Sequence, residues 1–406
     1  MSRIVRIICI LVGILFIISG FVKAIDPLGF SYKLDEYFEV FAADTTKVAF
    51  LSSFFLWLKN FSVYLSMFFC VLEMVLGVML IFGIQMQLTA WLLLLLIVFF
   101  TWLTGYSAIT GKVTDCGCFG DAVRLTPRQS FNKDVVLLVL ILIIFAFRNR
   151  VTPVFRKFGS LATFSVASLF FTWLTIYCFN HLPIIDFRAY KAGNDIRKQM
   201  ELPPGKSPDT YATILTYKNK SSGETGNYVM TEMKDGEAEW LKEKNLKPLP
   251  WQDSLWMQDH EFVSSKSELL VAGELPKITD FQVWDNENKD VTALVLDEPG
   301  YHFWLVAYDM PKANKASFTR INELAVSSEK NQIPFVGLTS TSYEQLDPIR
   351  HELNAPFTFY YADGTVLKTI IRSNPGLVLL NGSTVIDHWH YNDIPTYDQV
   401  RSKYFK

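Results

Sequence analysis

Five long apolar runs dominate the first half of the chain, at residues 4–22, 61–84, 88–106, 135–147 and 161–180. About 20 apolar residues carry a helix across the hydrocarbon core of a bilayer, so these runs predict five membrane-spanning helices. The fourth is short, and either extends backwards through Phe131 or tilts. Residues 34–58 are mixed: Asp35, Glu36 and Glu39 alternate with aromatics before the apolar run 48–58, which is too short to span and suits the membrane interface. Beyond Asn180 the pattern changes. A hairpin is predicted to pair residues 211–217 with 228–232 across a turn rich in Ser, Gly and Asn, and residues 237–244 read as a short helix. From residue 274 buried strands alternate with helices: strand 301–308, helix 315–330, strand 333–338, helix 343–353, strand 356–361 and a short helix at 366–372. Strands 376–380 and 384–388 follow, joined by Asn381-Gly382, a strong hairpin signal, and residues 395–404 close the chain as a helix. That order predicts one mixed sheet with helices on both faces.

The expected architecture is therefore an α-helical membrane bundle followed by a soluble α/β domain. Its parts are a transmembrane domain at 1–180, a connecting module at 181–273 and the α/β domain at 274–406. Arg3 and Arg6 precede the first helix, and the loop from Arg148 to Lys157 is basic throughout. Basic flanks mark the cytoplasmic side. With an uncleaved first helix and five crossings, the N-terminus is expected in the cytoplasm, and the C-terminal domain on the far side of a bacterial inner membrane, in the periplasm. A formal net charge of −2 gives no support for a nucleic-acid partner.

The chain has five cysteines, all in the apolar half, so no disulfides staple the soluble domain. Two of them are close, in Thr114-Asp115-Cys116-Gly117-Cys118-Phe119-Gly120-Asp121, between the third and fourth spans. A turn at Gly117 lets them approach. Three readings stay open: a working redox pair, an inert structural turn, and metal binding, the last lacking the further ligands that zinc takes. Glu73 falls in the middle of the second span, where a carboxylate is costly and suggests proton carriage or a pocket for a quinone head group. The bland alternative is a protonated Glu hydrogen-bonded to a neighbouring helix, and Cys70 reads as a packed apolar cysteine. Trp251, Trp256, Trp284 and Trp304 read as core or interface aromatics. His388 and His390 alternate along a strand without an evident third ligand, so no metal site is expected.

Ser19-Gly20-Phe21-Val22-Lys23-Ala24-Ile25-Asp26-Pro27 resembles the end of the first helix in the DoxX-like superfamily, and Asp115-Cys116-Gly117-Cys118-Phe119-Gly120 resembles the signature of its MauE branch. The resemblance covers residues 1–150. It implies a membrane bundle acting in thiol or quinone redox chemistry and in the maturation of disulfide-bearing partners, with Cys116 and Cys118 as reactive thiols, Glu73 as the membrane acid and an extracytoplasmic thiol protein as partner. The fifth helix and the large soluble half set this chain apart from the short family members.

Residues 274–406 resemble a thioredoxin-like domain of the TlpA kind, with Ser373-Asn374-Pro375-Gly376 as its cis-proline loop. Where that family carries Cys-x-x-Cys, this chain reads Asp309-Met310-Pro311-Lys312-Ala313-Asn314. Without a thiol the domain does no dithiol exchange, and docking, sensing or capping is expected of it. Two functions follow: a membrane thiol–disulfide oxidoreductase linked to quinone, or a non-enzymatic envelope anchor bearing an interaction domain.

Overall fold

The computed structural model describes residues 2–113, 120–123, 125–208, 210–229, 246–271 and 273–405. Among the described residues, five helices are long and apolar enough to cross a membrane: α1 (Ser2–Ile25), α4 (Ser62–Phe82), α5 (Met86–Thr110), α6 (Pro127–Phe147) and α7 (Lys157–Asn180). The protein is a multi-pass membrane protein. The mixed stretch after α1 forms two further helices, α2 (Pro27–Asp44) and α3 (Ala49–Lys59). Helix α2 starts sharply because Asp26 accepts the Gly29 N–H at 2.9 Å and Pro27 needs no amide partner. Helix α3 buries none of its residues and displays Phe50, Phe54 and Trp57, as an interfacial helix does. The fourth span begins well before residue 135, because Thr126 and Gln129 form a capping box ahead of Pro127.

The bundle is held by close approach of α1 and α4. A Cβ placed on Gly13 would lie 2.8 Å from the Gly77 carbonyl oxygen, and one on Gly77 2.6 Å from that of Gly13. In lipid, where burying apolar side chains gains little, such small-residue contacts supply the packing. Met74, Leu76 and Leu80 of α4 and Leu93 and Ile97 of α5 are fully buried around this seam. Helix α7 stands at the edge and buries only Leu174, Thr175 and Cys178.

Residues Arg197–Asp280 form a separate small unit. Its sheet has the order β3-β2-β1-β4, with β1 Thr210–Asn219, β2 Thr225–Val229, β3 Lys247–Pro248 and β4 His260–Val271. The expected hairpin is β1–β2, with Ile214 opposite Val229. Strand β4 carries Ser264, Ser265, Lys266 and Ser267 in a row, which hides it from any apolar alternation. Trp256 stacks on His260 at 4.0 Å and meets Tyr217 and Tyr228, whereas Trp251 is 62% exposed and is not a core residue. The helix expected at 237–244 lies outside the described residues.

The C-terminal half is a six-stranded mixed sheet of order β10-β9-β6-β7-β8-β5. Its strands are β5 (Val283–Trp284), β6 (Tyr301–Val306), β7 (Phe335–Thr339), β8 (Thr358–Ala362), β9 (Gly376–Asn381) and β10 (Thr384–His390). Strands β6, β7 and β8 run parallel, and β9 and β10 form an antiparallel hairpin beside β6. Gly382 makes that turn at φ +55°, the left-handed region glycine enters freely. Helix α8 (Phe318–Lys330) buries Phe318, Ile321, Leu324 and Ala325 in one core with Phe303, Leu305, Leu377 and Leu379. Alternate residues of β6 face the other way, where Trp304 stacks on Phe281 at 5.6 Å. Three further helices flank the sheet: α9 (Tyr343–Glu352), α10 (Gly364–Ile370) and α11 (Tyr397–Tyr404). Strand β5, only two residues long, escaped the sequence pattern.

Candidate functional site

The helices run alternately, so α1 ends, α4 begins, α5 ends and α6 begins at one end of the bundle, opposite the end that carries Arg3, Arg6 and Arg148. Cys116 and Cys118 fall in the α5–α6 connection at the first of these ends and lie outside the described residues. Their flanks are described. Val113 is buried with Ala24, Phe30 and Tyr37, and Gly120 lies against Val22 near the end of α1.

Below that end the bundle interior is charged. Side chains on a helix lean toward its N-terminus, so Lys23 on α1 reaches down into the bundle while Glu73 on the antiparallel α4 leans up toward it. They meet as an ion pair, and Ser19 Oγ donates to Glu73 Oε2 at 3.1 Å. Glu73 is 2% exposed. The Lys23 ammonium also lies 4.9 Å from the Phe100 ring and 5.2 Å from the Phe30 ring, a cation–π setting that offsets part of its lost hydration. Opposite, Asp134 of α6 accepts from Thr104 Oγ1 at 2.9 Å and from Lys133 Nζ at 3.0 Å. Asp134 is also 2% exposed. Both ion pairs line one void, whose other walls are largely apolar.

The sequence pointed to Glu73 alone. Lys23 stood inside the quoted first-helix motif without a role, and Lys133 and Asp134 fell in the backward extension through Phe131 without one. The Thr126-Pro127 start and Gln129 were the signal that extends α6 backwards, which puts both residues about 10 Å into the bundle at 1.5 Å per residue. Cys70, read as packed and apolar, is fully buried and free, as are Cys9 and Cys178.

The size of the void decides what it can hold. It measures about 30 Å³, enough for one or two water molecules, whereas a cavity that takes up benzene measures on the order of 150 Å³. Its donors, Ser19, Lys23 and Thr104, suit carbonyl oxygens, but a quinone ring does not fit between these side chains as packed. Among the described residues no group of three metal-ligating side chains occurs.

A second polar cluster joins the bundle to the C-terminal sheet. Arg372 Nε donates to the Asp26 carboxylate at 2.8 and 3.0 Å, and the Tyr32 hydroxyl donates to that of Tyr308 at 3.1 Å. Lys368 Nζ stands 4.9 Å from the Tyr32 ring centroid and 5.7 Å from that of Tyr308. Burial pushes the Tyr32 hydroxyl pKa well above its ordinary value and raises that of Tyr308, so both phenols stay protonated. Met310 and Ala313, in the cysteine-free turn after β6, are buried. This turn is tied to the Pro375 loop by Asn374 Nδ2, which donates to the Asp309 carbonyl at 2.7 Å. The Asn374–Pro375 bond is cis. At the end of α7, His181 pairs with Asp393 at 2.8 Å, and His390 is buried nearby. His388 contacts Asp186 at 3.1 Å. Burial disfavours the Asp186 charge, but hydrogen bonds from His388 and Arg188 outweigh it and hold the carboxyl far below its usual range.

Residues 1–147 match the family model of the methylamine utilisation protein MauE. The chain up to the end of α6 is similar to that family. The match takes in Lys23, Glu73, Asp134, Cys116 and Cys118, and stops before α7 and the C-terminal sheet. No curated protein and no solved structure matches the chain. The matched stretch thus carries both ion pairs.

Proposed function

We propose that the protein is a membrane thiol–disulfide factor of DoxX-like, MauE-type build, working on a thiol-containing partner outside the cytoplasm. The reading is carried by one observation: carboxylates and lysines gather beneath the bundle end where α5 ends and α6 begins, the two helices between which Cys116-Gly117-Cys118 falls in the sequence. An intramembrane ionisable group is a functional hypothesis by default, and this chain keeps two paired ones. In the proposed step, a partner thiolate attacks the Cys116–Cys118 disulfide, forming a mixed disulfide and freeing one thiol. The partner's second thiolate then resolves it. The partner loses two electrons, both cysteines are reduced, and two protons pass from the partner's thiols to the protein's. A second dithiol–disulfide carrier, taking up those two electrons and protons, restores the starting state. A membrane quinone was the other electron acceptor considered, and no step is routed through it because the void is too small for the ring.

The orientation goes with this reading: N-terminus in the cytoplasm and C-terminal domain in the periplasm, across the bacterial inner membrane. The C-terminal sheet is read as a thioredoxin-like domain of the TlpA kind. Its strand order and parallel β6–β7–β8 core support that reading, and Met310 and Ala313 stand where its thiols would be. The test is thiol trapping in intact cells. A mixed disulfide that accumulates in Cys118→Ser and vanishes in the double Cys116→Ser/Cys118→Ser variant is expected. A Cys116–Cys118 pair that never changes redox state and traps nothing overturns the proposal.

A second reading, a non-enzymatic anchor with an interaction domain, is favoured by the use of Tyr308 and Arg372, beside the cysteine-free turn, in contact with α2. Trapping decides between the two.

A further inference from the structure

The Lys133–Asp134 pair has no part in the thiol step above, yet it shares a void with Lys23–Glu73. Four charged side chains from three helices around one small space is a costly arrangement in lipid, and each pair is already hydrogen-bonded within itself. What the arrangement adds is the space between them. A void of about 30 Å³ with Ser19, Glu73, Thr104 and Asp134 at its walls meets both requirements for internal water, volume and two to four polar partners. Of the four charged groups, Lys133 alone reaches outward, its side chain 22% exposed against 2% for Asp134 and Glu73 and 4% for Lys23.

We propose that Glu73 and Asp134 are a water-linked proton-exchange pair, with Lys133 at its mouth. The ligand is water and the cargo a proton. A proton on the Asp134 carboxyl passes to the water oxygen while another proton of that water passes to the Glu73 carboxylate. Asp134 ends ionised, Glu73 ends neutral and the water is restored. The titratable groups facing the void are Lys23 from α1, Tyr37 from α2, Glu73 from α4, and Lys133 and Asp134 from α6, while α5 contributes the Thr104 hydroxyl. The proposal goes beyond the thiol reading, whose exchange steps release no net proton. Its test involves no thiol, so either can fail alone.

The test is infrared titration of the full-length protein in lipid nanodiscs, with the Glu73 carboxyl band assigned by difference from Glu73→Gln. Asp134→Asn is expected to move the Glu73 midpoint by about half a unit or more, roughly threefold in proton affinity. Leu137→Phe keeps all four charged residues and fills the void, and is expected to slow deuterium uptake at the Glu73 carboxyl severalfold. An unmoved midpoint in folded Asp134→Asn overturns the proposal. So does Leu137→Phe with wild-type uptake, which also decides the matter should Asp134→Asn not fold.

Discussion

The bundle and the C-terminal sheet fill their buried positions in opposite ways. The bundle retains charge where charge is most costly: Glu73 and Asp134 are each 2% exposed, and each is met by a lysine. The C-terminal sheet has apolar Met310 and Ala313 in the turn after β6, both buried. Beside that turn, Tyr308 and Arg372 are engaged in contact with α2. The difference teaches where to look for chemistry. In lipid an uncompensated polar group is penalised so heavily that a retained pair signals use. In the C-terminal sheet, the apolar turn after β6 leaves the neighbouring face to pack against α2.

The largest test of that contrast is Lys23→Met. It leaves the Glu73 carboxylate buried without its cation, and breaking a buried pair this way costs roughly 3–5 kcal/mol. Unfolding in mixed detergent micelles should show that loss, and Lys23→Met/Glu73→Leu should recover most of it, since replacing both members of a buried pair by apolar residues is close to neutral. If the double variant is as unstable as the single, the pair is not held for charge compensation.

Next in size is a pH effect in the soluble half. Burial, with His181 adding to it against the opposing Asp393, pushes the His390 pKa down to about 4. A histidine unfolded near 6.5 binds a proton more readily in the unfolded chain, so stability is intact above about 6.5 and falls as pH drops toward 4. The full shift corresponds to at most about 3 kcal/mol. His390→Gln should flatten that slope between pH 6.5 and 4, read from chemical denaturation followed by tryptophan fluorescence. An unchanged slope would assign it to other groups.

Arg372→Ala should weaken the junction between bundle and sheet by roughly 1.5–3 kcal/mol, the range for hydrogen bonds to a charged group. Asp26→Asn removes the same charge pairing while keeping a side chain able to cap α2. Faster proteolysis between α7 and β10 in Arg372→Ala, with a smaller change in Asp26→Asn, is the expected result. Equal resistance to protease in all three proteins would mean that the junction is held elsewhere.

Much of this fold was legible because the bilayer and the sheet impose strict periods. The five spans, the parallel core of the sheet and the Asn381-Gly382 hairpin followed from apolar run length, alternation and turn chemistry. The mixed stretch at 34–58 became two helices, set by the Asp26 cap that the apolar pattern did not register. The site was legible only in part. A lone Glu in a span is visible in one dimension, but its partner Lys23 lies 50 residues away. Asp134 lay within the backward extension through Phe131, but with Lys133 beside it the pair reads in one dimension as the charged edge of a span. The contact of Asp26 with Arg372, 346 residues apart, is tertiary and leaves no periodic trace.

The smallest effect bears most directly on the soluble side of the comparison. In Tyr308→Phe, the Tyr32 hydroxyl loses its acceptor inside a buried contact, which should cost about 1 kcal/mol or somewhat more. In Tyr32→Phe/Tyr308→Phe both hydroxyls are gone and the rings remain for Lys368 to lie over, so the double variant should return close to wild type. A positive coupling energy from that cycle identifies this face as a packing surface built on a paired hydrogen bond. A single Tyr308→Phe that leaves junction stability untouched but abolishes partner trapping at Cys116 would reverse the contrast, giving Tyr308 a role in the chemistry rather than in holding the two halves together.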